Sequence, residues 1–118
     1  MSDDPGRDTQ GDDPTEFFWD LASEFLVRDG IEQGQLMGFP CLRVGGEFFA
    51  TCDHRTGVLI VKLDRDTVAE MVESGHGAPF APAGRVFKEW VAVSERDESR
   101  WRALMNDAVS FVSGAAER

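Results

Sequence analysis

Few side chains in this sequence could do covalent or metal chemistry. His54 and His76 are the histidines, Cys41 and Cys52 the cysteines, and tyrosine is absent. A zinc site needs three or four converging ligands, and no CxxC or HxxxH spacing brings these four residues into such a set. His76 stands in GHGAPFAPAGRVFKEW, residues 75–90. GHGAPF has Phe80 where a dinucleotide-binding fingerprint needs its last glycine, and no GK[ST] follows to make a phosphate-binding loop. No GxSxG elbow presents a serine nucleophile. Glu95, Asp97 and Glu98 fall where the last helix should open, where its macrodipole favours negative charge. Glu70 and Glu73 read as the solvated face of a shorter helix. No residue is assigned a catalytic or metal-ligating role, and no cofactor is implied. His76 with Phe80 is the candidate loop for a small ligand or an enzyme site, which would need a concave pocket with converging polar groups beside it.

The basic residues are more informative. Arg43, Lys62, Arg85 and Lys88 all fall on expected strands, among Phe39, Phe48 and Trp90. Gathered on one sheet face they would make a mixed cationic and aromatic surface, suited to an anionic ligand, a nucleic acid or an acidic partner. The plainer reading is that strand lysines and arginines discourage edge-to-edge aggregation. Their alternation does not by itself place all four on one face.

These residues need elements to position them. Thr15 is placed to cap a helix in which Phe18, Leu21, Ala22, Phe25 and Leu26 recur at helical spacing, and Gly30 is placed to stop it. In the next stretch, GQLMGFPCLRVGGEFFATCD, Gly45-Gly46 reads as a two-residue hairpin turn, because both positions take positive φ at little cost. VLIVKL, residues 58–63, has the near-continuous apolar character of a central strand. Asp64 or Asp66 caps a short helix bearing Val68, Met71 and Val72, with Gly75 at its end. RVFKEWVAV, residues 85–93, is a further strand. Trp101, Leu104, Met105, Ala108 and Val112 form one face of a long final helix. In the loop between, Pro79 and Pro82 push Ala78 and Ala81 toward extended backbone, so residues 75–84 read mainly as a connector.

The fold class expected is therefore α+β. An antiparallel sheet, a meander of three to four strands plus a later strand, is flanked by N-terminal, short middle and long C-terminal helices. A tight turn at Gly45-Gly46 sets Cys41 opposite Ala50 and Cys52 opposite Phe39. The two cysteines would then share a face as diagonal neighbours, about 7–8 Å apart, too far for an easy disulfide.

At 118 residues the chain suits one domain, with 42% hydrophobic residues to fill a core. Asp3, Asp4, Asp8, Asp12, Asp13 and Glu16 stand against Arg7 alone, and carry half of the net charge of −10. Residues 1–14 are expected to be a disordered acidic tail, residues 15–113 the domain, and 114–118 a short C-terminal tail. No apolar run approaches the roughly 18 residues of a membrane span, and the N-terminus has no signal-peptide pattern. A cytoplasmic protein without a membrane partner is expected. Because nucleic-acid affinity comes mostly from phosphate neutralisation, the net charge disfavours DNA, and an unidentified protein is the expected partner.

LMGFPCLRVGGEFFATCD, then LIVKL, then GAPFAPAGRVFKEWVAV, resembles the TfoX N-terminal domain family and the related MmcQ/YjbR-like proteins. The resemblance rests on Met37-Gly38, the hairpin ending in Phe49-Ala50, the Lys62 strand, the Pro79-Phe80 loop before the Trp90 strand, and a closing helix. It spans roughly residues 15–113 and implies an antiparallel sheet flanked by helices. It further implies a role in regulation, without catalytic residues to carry across; its members are associated with competence regulation or labelled DNA-binding.

Overall fold

Phe18, Leu21, Ala22 and Phe25 recur along one side of a helix, α1 (Glu16–Leu26), and all four are buried. The computed structural model describes residues 14–36 and 39–114, with Leu36, Phe39 and Ala83 entering through their backbone alone. The acidic residues 1–13, the Met37–Gly38 pair and residues 115–118 lie outside that range. Thr15 precedes α1 but does not cap it through its hydroxyl. Its backbone is already helical, with φ −91° and ψ −4°, rather than in the extended region from which a side chain reaches the free N–H groups. Its carbonyl instead accepts from the Trp19 N–H at 3.0 Å.

After α1 come β1 (Ile31–Leu36), β2 (Phe39–Val44), β3 (Glu47–Cys52) and β4 (Leu59–Lys62). Then follow α2 (Arg65–Ser74), β5 (Ala78–Phe80), a 3₁₀ turn (Pro82–Gly84), β6 (Phe87–Val93) and α3 (Glu98–Val109), with a π-helical turn over Ser110–Gly114. The strands form one antiparallel six-stranded sheet in the order β1-β2-β3-β4-β6-β5. The α+β class is as expected. Ala78–Phe80, which reads as connector in the sequence, is a short edge strand paired to β6.

Gly45 and Gly46 make the β2–β3 turn, with φ of 60° and 86°, the positive pair that a tight antiparallel turn requires. Asp64 caps α2, its Oδ2 accepting from the Asp66 and Thr67 N–H groups at 3.1 and 3.2 Å. Asp97 caps α3 by accepting from the Arg100 N–H. The three helices send Phe18, Phe25, Met71, Trp101 and Met105 into one core with Leu42, Phe49, Leu59, Val61, Val91 and Val93 of the sheet. Trp101 is the largest side chain fully inside. Its indole N–H is satisfied by the Glu95 carbonyl, and its ring meets Phe17 edge-on at 4.9 Å.

The β2–β3 register corrects one expectation. Val44 faces Glu47 and Arg43 faces Phe48, as the Gly-Gly turn dictates, but Leu42 rather than Cys41 then stands opposite Ala50. Phe49 is the extra residue of a bulge, which lets both Phe49 and Ala50 point into the core. A one-residue slip exchanges faces. Cys52 therefore lies on the helix side, within the core, whereas Cys41 alternates with buried Leu42 and lies on the other side. Both thiols are buried and neither forms a disulfide. They do not share a face.

Candidate functional site

Strand alternation divides the sheet into two faces. Ala50, Cys52, Leu59, Val61, Val91 and Val93 turn toward the helices. Phe48, Thr51, Ile60, Lys62 and Trp90 turn the other way, where no helix among the described residues packs. The β5–β6 pairing adds to this second face. Pro79 pairs with Val91, but Phe80 pairs with Phe87, so β6 takes up additional residues between these pairs. That irregularity brings Phe80 against both Phe87 and Trp90, with ring centroids 5.8 and 6.4 Å apart.

The result is a groove of about 310 Å³ with Ile60 and Thr51 in its lining, aromatic walls from Phe48, Phe80, Phe87 and Trp90, and Glu47 and Lys62 also at its border. Next to it lies a depression of about 300 Å³ that shares Lys62, Phe87 and Trp90 and adds Arg65, Lys88 and Glu89. A larger hollow, about 530 Å³, opens between α2 and β6; it shares Arg65, Phe87, Lys88 and Trp90 and adds apolar Val68, Val72 and Val86. Phe87 and Trp90 border all three.

Of the basic and aromatic residues singled out in the sequence, Lys62, Lys88 and Trp90 converge on the middle depression. Arg85 lies beside them, its guanidinium 5.6 Å from the centre of the Phe87 ring. Arg43 does not join them. It stands on β2, packs across Gly34 and faces Glu32 at 3.6 Å. The distance between β2 and β6 follows from strand order. Arg65 is the cation that sequence reasoning missed. The usable signal was Asp64, since a cap there puts Arg65 in the first turn of α2, directly after the Lys62 strand. The cations are partly countered: Lys62 Nζ lies 3.9 Å from Glu89.

His76 and Phe80 separate. His76 is exposed, its Nδ1 is 2.8 Å from Ser74 Oγ, and its backbone N–H closes the end of α2 on the Met71 carbonyl. Phe80 turns into the aromatic groove, whose lining does not include His76. Among the described residues no group of three or more histidine, cysteine, aspartate or glutamate side chains could hold a metal ion. Among them too, no helix is long and apolar enough to cross a membrane.

The arrangement can hold an apolar group between rings and meet negative charge beside it. No family model, curated protein or solved structure matches the chain.

Proposed function

We propose that this chain is a non-enzymatic binding module of the TfoX N-terminal type, acting in regulation in the cytoplasm by engaging a protein partner through the sheet face that its helices leave open. One observation carries the reading: Phe48, Phe80, Phe87 and Trp90 line an apolar groove on that face. Partly exposed aromatic side chains rimmed by charge are the composition of protein-binding surfaces. In host lysate the chain should elute in a complex larger than its own mass. The double variant Phe48→Ser, Trp90→Ser should elute alone while keeping its fold. Co-elution of wild type and variant at the same size would count against the surface.

DNA binding through the same face is the second reading. The convergence of Lys62, Arg65 and Lys88 favours it; Glu89 among them and the net charge of −10 oppose it. Counterion release gives it a steep salt dependence that a mainly apolar protein contact lacks.

A further inference from the structure

The three hollows have an order. Phe87 and Trp90 border all three, but beyond them the middle depression shares Lys62 only with the aromatic groove, and Arg65 and Lys88 only with the hollow beside α2. On one side lies the aromatic groove with Ile60; on the other lies the hollow beside α2 with Val68, Val72 and Val86. A cationic centre thus lies between two apolar ends. The middle depression holds three cations against Glu89 alone, on a chain of net charge −10.

We infer that the aromatic groove of the open face, together with the two hollows that continue from it to α2, takes a short peptide segment of a partner protein, with two apolar anchor side chains flanking a pair of acidic residues. This rests on the binding-module reading above and gives its partner a chemistry. One anchor enters the groove between Phe48 and Phe80. The carboxylates lie over Lys62 and Lys88, and the second anchor reaches Val72 and Val86. The acids at the outer ends decide against a nucleic acid. Glu47 borders the aromatic groove, and Asp66 and Glu73 border the hollow at α2. A polyanion charged along its whole length would run over them, whereas a segment acidic only at its centre would not.

The test uses the full chain labelled with 5-fluorotryptophan, whose Trp19, Trp90 and Trp101 signals are assigned by Trp→Phe variants. The titrants are capped peptides with two leucines flanking a pair of aspartates, the leucines set at a series of separations. At one separation the Trp90 signal should shift saturably while that of buried Trp101 stays still. Replacing the aspartates by lysines, or making Lys62→Gln with Lys88→Gln, should weaken binding about tenfold, the scale of two exposed charge contacts. An unchanged Trp101 signal and Tm report that the double variant is folded.

If lysine-centred peptides shift Trp90 equally, the acidic centre is wrong and the binding face stands. Should no peptide, neutral ones included, move Trp90 at millimolar concentration, both fall. A thymidine octanucleotide that binds more tightly than any peptide, with steep salt dependence, would replace the peptide by nucleic acid.

Discussion

Phe80 stacks on Phe87, their ring centroids 5.8 Å apart and their planes 30° from parallel. The contact crosses the β5–β6 pair where its register shifts, and it joins a three-residue edge strand to the aromatic groove. Phe80 therefore serves both the fold and the site. Phe80→Ala should lower unfolding stability by about 1–3 kcal/mol, because the side chain is half-buried and an aromatic pair is lost. The same variant should shift the Trp90 signal and leave that of Trp101 in place. Urea denaturation and fluorine NMR read the two effects separately.

Gly57 adopts φ 79° where the β3–β4 turn passes the Pro14 carbonyl and the Arg96 guanidinium, and a Cβ there would overlap both. Gly84 has nearly the same φ, 82°, with nothing near. Gly84→Ala should cost about 1 kcal/mol, the strain of the left-handed region alone. Gly57→Ala adds displacement of backbone and should cost about 2 kcal/mol or more. Equal losses in parallel denaturation curves would refute the close approach.

Helix α3 is tied to α1 by Arg102, which donates to Glu24 through Nε and Nη2, both at 3.0 Å, and to Glu98 at 2.8 Å. These hydrogen bonds from Arg102, aided by its charge and opposed by partial desolvation, hold the Glu24 carboxyl below the ordinary glutamate pKa. A carboxylate whose folded-state pKa is depressed stabilises the fold above its unfolded pKa. That contribution is lost as pH falls through the folded value. The stability gap between wild type and Glu24→Gln should be widest near neutrality and close on acidification. Denaturation at a series of pH values measures it, and a gap that widens in acid would contradict the pairing.

Cys41 and Cys52 lie on opposite faces of the sheet, both buried. Oxidation of the native chain by diamide should give no intramolecular disulfide, since the sheet separates the thiols. Thiol reagents should modify both residues fast only in denaturant. A disulfide formed under native conditions, detected by mass spectrometry, would show that the bulge at Phe49 is wrong.

That bulge marks a limit of what could be read from residues alone. Helical spacing exposed the buried faces of α1 and α3, and Gly45-Gly46 located the turn together with the two residue pairs beside it. EFFATC has no strict alternation, and the choice to bury Phe49 beside Ala50 is made by the helices packing above them. The edge strand at Ala78–Phe80 was hidden because two prolines and nearby glycines resemble a loop, and its partners lie in β6. In the site, Lys62, Lys88 and Trp90 were legible as cations and an aromatic residue on strands. The exclusion of Arg43 and the inclusion of Arg65 depend on strand order and helix placement, which local patterns do not carry.

The open face is tested most directly by a photoreactive side chain at Thr51, inside the groove, compared in living host cells with one at exposed Glu70 on α2. The expected result is a discrete protein adduct from Thr51 that disappears with Trp90→Ser, and none from Glu70. An adduct from Glu70 alone, or no protein adduct from Thr51, would contradict a partner seated on this face.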